Sequence, residues 1–145
     1  MANQVDTSPS TIQALLQRGT SEVIVLEEFK KKLASGKKLR VKLGIDPSGS
    51  ALHLGHAVHF RKLPQFPAAG HHAILIVGNF TGKIGDPTDK SAARKTLTKE
   101  EVLENCKGYQ KQASRFISFT GANKAEMKFN SQWLSKMNFG DVLEL

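Results

Sequence analysis

The sequence predicts an α/β protein, a parallel β-sheet with flanking helices behind a short helical leader. Three observations carry this. Leu39, Val41, Leu43 and Ile45 alternate with Arg40, Lys42 and Gly44, which is the two-residue period of a strand. Residues 73–77, Ala-Ile-Leu-Ile-Val, form a continuous apolar run, the pattern of a strand buried in a parallel sheet. Segments of helical spacing separate the strands in the order β-α-β-α-β, and parallel neighbours need such crossovers.

Each element has its own local reason. Ile12, Leu15 and Leu16 share one helix face, and Gly19 stops that helix. Ser21 caps a second helical piece, whose Val23, Leu26, Phe29 and Leu33 line up before Gly36 ends it. Strand 39–45 runs into the turn Asp46-Pro47-Ser48-Gly49-Ser50, and a helix follows over about 52–63. After strand 73–77 comes a loop holding Gly78, Gly82, Gly85 and Pro87. Thr98 and Glu101 have the Thr-x-x-Glu spacing of a capping box. It opens a helix whose apolar stripe is Val102, Cys106, Tyr109, Ala113 and Phe116. Residues 126–130 make a third short strand, and a further helix starts at Phe139.

Composition narrows the function classes. A length of 145 residues fits one domain with a real core. No run approaches the roughly 20 apolar residues of a membrane span. The first residues lack the basic and apolar regions of a secretory signal. A single cysteine, Cys106, excludes a disulfide framework and suits the cytoplasm. The net charge of +8 favours polyanionic partners such as nucleic acid or nucleotide phosphate. That charge is uneven. Residues 1–29 carry one basic and four acidic residues, whereas residues 30–42 carry seven basic ones and no acid. Lys30 to Lys38 read as a solvated helix end, where lysines suit the dipole.

The chemistry concentrates at the first strand–turn–helix junction, where α/β proteins place ligands. His53 and His56 are three residues apart in the first helical turn and share a face. Free backbone N–H groups at that helix end favour phosphate, and two imidazoles can donate to phosphoryl oxygens. Gly55 between them lets a flat base or ribose approach the backbone. His59, His71 and His72 lack any zinc spacing, so no metal site is expected, and His71 and His72 read as exposed loop residues. The glycine loop after residue 77 fits neither G-x-x-x-x-G-K-[ST] nor G-x-G-x-x-G. It offers instead Asp86 to accept from an ammonium group, and Lys90 and Arg94 to reach phosphate.

These segments resemble one family. His53-Leu54-Gly55-His56 after Gly44-Ile45-Asp46-Pro47-Ser48 resembles the HIGH signature of class I aminoacyl-tRNA synthetases. Residues 77–87, Val-Gly-Asn-Phe-Thr-Gly-Lys-Ile-Gly-Asp-Pro, and 129–134, Phe-Asn-Ser-Gln-Trp-Leu, resemble the tyrosine-specific members. The resemblance implies a Rossmann-like (HUP-type) fold and the two steps of tyrosine–tRNA ligation: activation of tyrosine by ATP, then transfer to tRNA(Tyr). It implies His53 and His56 as catalytic groups. It places Ser48, His53, Gly55, His56, Lys90 and Arg94 on ATP, and Lys42, Gly44, Asp46 and Asp86 on tyrosine. Mg2+ comes with the ATP, no protein metal site is implied, and the family works as a cytoplasmic homodimer away from membranes.

Some positions depart from the pattern. Lys42 stands where many members carry a tyrosine, Ser48 where threonine is usual, and Asp89 where glycine is common. Pro64 and Pro67 fall where the family continues its helix, and an interior proline costs about 3 kcal/mol. No KMSKS-like segment occurs: Lys136-Met137 matches two letters in the wrong place. The expectation is therefore a leader over 1–36 and the first half of a catalytic domain over 37–145, cut within a helix and inactive alone. Alternatives are another H-x-G-H nucleotidyltransferase, the tryptophan-specific relative, or a non-catalytic remnant that binds nucleotide, RNA or protein.

Overall fold

The computed structural model describes residues 4–83 and 97–144. Asp86, Asp89, Lys90 and Arg94 lie outside the described residues. Three parallel strands form one sheet in the order β1-β2-β3: β1 Arg40–Ile45, β2 His72–Val77 and β3 Glu126–Phe129. The register pairs Arg40 with His72 through Ile45 with Val77, and Ile74 with Glu126 through Val77 with Phe129. Between β1 and β2 lie α3 (Leu54–Lys62) and the short α4 (Gln65–Ala68). Between β2 and β3 lie α5 (Lys99–Lys107) and α6 (Tyr109–Ala113). The leader supplies α1 (Pro9–Gln17) and α2 (Leu26–Ala34), and α7 (Ser131–Leu134) and α8 (Phe139–Leu143) follow β3.

The period-2 pattern decides which sheet face is covered. Val41, Leu43 and Ile45 join Ala73, Leu75, Val77, Met127 and Phe129 in the main core, under Phe60, Leu63, Val102, Cys106, Tyr109 and Ala113. Arg40, Lys42 and Gly44 are exposed on β1, and by the same alternation they share the other face with His72, Glu126 and Lys128. On that face His72 Nε2 is 3.2 Å from Glu126, which also meets Lys128 Nζ at 3.1 Å. A second core ties the leader to the domain: Leu15, Leu33, Phe66 and Ala69, flanked by Leu39 and Val41. Burying a leucine such as Leu33 completely contributes about 2 kcal/mol. Lys62 Nζ reinforces this junction by donating to the α1 carbonyls of Leu15 (2.6 Å) and Arg18 (2.9 Å).

Several local expectations need correction. The second leader helix begins at Leu26, not after Ser21. Its N-cap is Val25 with φ +57°, so Val23 lies outside the helix. Gly19 and Gly36 do take positive φ as stops. Helix α3 is shorter than 52–63, because His53 is its N-cap and Leu63 its C-cap. Pro64 then stands at the N-cap of α4, where its missing N–H has no helical role, so the chain absorbs it at a break between two helices. The capping box of Thr98 and Glu101 opens α5 as expected. The apolar stripe behind it is split at Gly108 into two helices. Phe116 ends 40% exposed, although its ring stacks on Phe60 at 5.7 Å.

The largest correction concerns His71 and His72. His72 is the first residue of β2, and His71 is fully buried. His71 Nδ1 accepts the Leu39 N–H at 3.3 Å, and its ring tilts against Phe66. Its buried Nε2 has no partner among the described residues. Burial, and secondarily the Lys38 charge, push the imidazole below its ordinary range. Burial likewise lowers His56. A lowered folded pKa means the unfolded chain takes up the proton first. This contribution is complete above about pH 6.5 and is lost as pH falls through the window below it. Urea denaturation from pH 7.5 to 5 is expected to show falling stability, and His71→Asn is expected to flatten that slope. An unchanged slope in His71→Asn removes His71 as its source.

Candidate active site

Strand β1 ends at Ile45, and the chain turns through residues 46–52 before α3 starts at His53. The end of β1, this turn, the first two turns of α3 and Gly82 border a cleft of about 450 Å³. Gly44, Asp46, Ser48, His53, Gly55 and His56 all line it, so the structure brings these six sequence-predicted residues together. Lys42 does not line the cleft; it sits one pleat before Gly44 on the same exposed edge of β1. Leu43, Ile45, His59 and Gly82 complete the lining. His59 was legible as a third residue on the His53–His56 helix face, but sequence reasoning weighed it only as a metal ligand.

The two histidines cap the helix with each other. Gly55 N–H donates to His53 Nδ1 at 3.1 Å, and His53 N–H donates to His56 Nδ1 at 3.2 Å. The rings lie 3.9 Å apart, centroid to centroid. A nitrogen that accepts an N–H carries no proton, so each neutral ring bears its proton on Nε2. Both Nε2–H groups are thereby made donors. Burial first, then the neighbouring His53 and His59, hold His56 below its ordinary range and keep it neutral near pH 7. The expectation of free backbone N–H groups at this helix end is corrected in part. Those of His53 and Gly55 are used by the rings, which adds the imidazoles to the donors at this end. Gly55 also has a closer reason to be glycine. A Cβ there would stand 3.0 Å from His53 Cε1, against the ring that caps the helix.

Asp46 is set by a relay from the far strand. Its Oδ1 accepts the Thr81 hydroxyl at 2.7 Å. Asn130, buried at the end of β3, donates from Nδ2 to Thr81 Oγ1 (3.0 Å) and accepts Phe80 N–H at Oδ1 (2.8 Å). Gly78, at the end of β2, leaves no room for a side chain. A Cβ there would fall 1.6 Å from Asp46 Oδ1 and 2.6 Å from Thr81 Oγ1. Among the described residues no group of three or more His, Cys, Asp or Glu side chains could hold a metal ion. No helix there is long and apolar enough to cross a membrane.

The family model for class I tRNA synthetases (W and Y) matches residues 33–145. The chain belongs to this family. It is 47% identical over 135 residues to a tyrosine–tRNA ligase of Carboxydothermus hydrogenoformans, covering 90% of this chain and 32% of that protein. It is 46% identical over 138 residues to that of Thermotoga maritima, covering 95% and 34%. The chain thus spans about a third of the length of these synthetases. Among solved structures, the tyrosyl-tRNA synthetase of Archaeoglobus fulgidus complexed with L-tyrosine shares its fold at TM-score 0.72 and 22% identity, covering 95% of this chain and 38% of that one. A truncated mitochondrial enzyme of Coccidioides posadasii gives TM-score 0.69 at 24% identity, covering 94% and 40%. The Rossmann-like α/β architecture is therefore that of class I synthetases.

Gly78→Ala is expected to expel Asp46 from its place and cost about 1–2 kcal/mol by calorimetry, since the methyl would take the place of Oδ1 and break the relay through Thr81 to the buried Asn130. A variant as stable as the parent contradicts this packing.

Proposed function

We propose that this chain carries the first part of a tyrosine–tRNA ligase catalytic site, which binds ATP and tyrosine and forms tyrosyl-adenylate. The observation that carries the reading is the pair of Nε2–H donors presented by His53 and His56 beside Asp46 and Ser48 in one cleft. In this reaction the tyrosine carboxylate attacks the α-phosphorus of ATP and pyrophosphate leaves. No protein nucleophile is needed. The protein stabilises charge that builds on the phosphoryl oxygens.

His53 and His56 donate to those oxygens, and their mutual capping fixes tautomer and orientation before the substrate arrives. Ser48 joins His53 near the γ-phosphate, and Gly55 lies under the adenosine. Asp46, steadied by Thr81, lines the tyrosine and adenylate pocket with Gly44 and Lys42. Asp86 takes the tyrosine ammonium group, and Lys90 and Arg94 take the departing pyrophosphate. Mg2+ carried by ATP neutralises its phosphates. Tyrosine rather than tryptophan is favoured by the tyrosine–tRNA ligases to which the chain is 46–47% identical. Residues 1–36 serve as leader and 37–145 as the first half of the catalytic domain. Transfer to tRNA(Tyr), the homodimer and the cytoplasmic setting belong to the whole synthetase of which this chain resembles about a third.

Two measurements test the reading. In a full-length tyrosine–tRNA ligase carrying this chain as its first part, His53→Ala is expected to slow adenylate formation about 100-fold, roughly the 3 kcal/mol of one preorganised donor. ATP affinity is expected to change far less. A change in ATP affinity alone overturns the catalytic role. The 145-residue chain by itself is expected to show no tyrosine-dependent ATP–pyrophosphate exchange, and detectable exchange overturns the reading that it needs the second part.

A further inference from the structure

We propose that Asn105, Tyr109 and Gln112 act as positioning residues, a clamp from α5 and α6 that holds the backbone of residues 47–52 and so sets where Ser48 and the His53 cap stand in the cleft. The turn cannot hold itself. Among the described residues its one internal backbone hydrogen bond is Ser48 N–H to Asp46 O, at 2.9 Å. Pro47 is fully buried and fixes one end by packing. Four further backbone groups of the turn are satisfied by three side chains, Asn105 from α5 and Tyr109 and Gln112 from α6.

Asn105 Nδ2 donates to Pro47 O at 3.0 Å. The Tyr109 hydroxyl donates to Gly49 O at 2.6 Å. Gln112 bonds twice: Nε2 donates to Ser50 O at 3.0 Å, and Oε1 accepts Leu52 N–H at 2.7 Å. The carbonyls of Pro47, Gly49 and Ser50 and the N–H just before the His53 cap are thus all met from outside the turn. Tyr109 is 1% exposed, so its ring is held by the core and its hydroxyl is delivered as a rigid strut. Burial also keeps this phenol protonated, hence a donor. Two helices on the far side of the turn thereby set the geometry of a cleft that none of the three clamp residues lines. What the clamp positions is an ATP site only if the reading above holds, whereas the mechanical statement stands on the hydrogen bonds.

Hydrogen exchange by NMR on the 145-residue chain tests it, with Tyr109→Phe, Gln112→Ala and a control, Gln110→Ala, from the exposed side of α6. The decisive probe is the Gly55 amide. It is bonded to the His53 ring and to none of the clamp residues. Loss of one clamp hydrogen bond is expected to speed its exchange about tenfold, while Leu75 and Val77 in β2 stay within about twofold and Gln110→Ala changes nothing. Unchanged exchange at Gly55, or equal acceleration at Leu75 and Val77, overturns the clamp and leaves a merely structural role. Binding of β,γ-methylene ATP provides a second readout, expected to weaken about fivefold in both clamp variants. Equal affinity of parent and variants overturns the positioning role. If the parent chain does not bind the analogue, the nucleotide reading fails for this chain, and Gly55 exchange still decides the clamp.

Discussion

Strand β2 is hydrogen-bonded on both sides, along its whole length to β1 and from Ile74 to Val77 to β3. Every other part takes its place from that arrangement. An apolar strand in this position has no edge to offer water, so its polar backbone is satisfied only by two partners in register. That register brings the ends of β1 and β2 level, at Ile45 and Val77, and sets Asp46 directly against Gly78. A side chain at position 78 and the carboxylate of Asp46 cannot share that space. Asp46 keeps its place at the cleft because the residue that follows the central strand has no side chain.

The same economy governs the start of α3. A helix N-terminus has orphan N–H groups that something must satisfy. Here two of them are met by imidazole rings, which directs each ring's remaining proton outward. Capping the helix and arming the cleft are one act. The helix gains what an N-cap usually contributes, about 1 kcal/mol, and the site gains donors whose tautomer is settled without substrate. Low basicity at His56 follows from its burial and from two neighbouring imidazoles. In the proposed reaction a neutral donor suits the phosphoryl transition state, where charge arrives only as the bond forms.

The leader is bound by different means. Its contacts are apolar, through Leu15 and Leu33 onto Phe66 and Ala69, with Lys62 reaching back to the last carbonyls of α1. Lys62 belongs to the last turn of α3, the helix that begins with the histidine cap. One short helix thus carries the site at its first turn and the leader at its last. His71, which joins Leu39 to the loop before β2, adds a polar tie inside the same junction.

Much of this was legible in the residues. Alternation over 39–45, the unbroken run at 73–77 and the Thr98–Glu101 box determined two strands, a helix start and the α/β class, because each depends on local periodicity or capping chemistry. His53, Gly55 and His56 were readable as a site because their spacing places them together within one turn. What only the tertiary structure decided depends on residues far apart in sequence. His71 looked like a loop residue, yet it is buried because Leu39 and Phe66 close around it. Ser21 looked like a cap, but the helix begins only at Leu26, and it is Phe29 and Leu33 within it that pack onto Phe66. Asp46 finds Thr81, Thr81 finds Asn130, and residues 47–52 find Asn105, Tyr109 and Gln112, across separations of 35 to 62 residues. Local chemistry determined which groups were present and which helix they cap. Their aim was left to the packing of distant elements, since a hydrogen bond across the fold leaves no periodic trace in the chain.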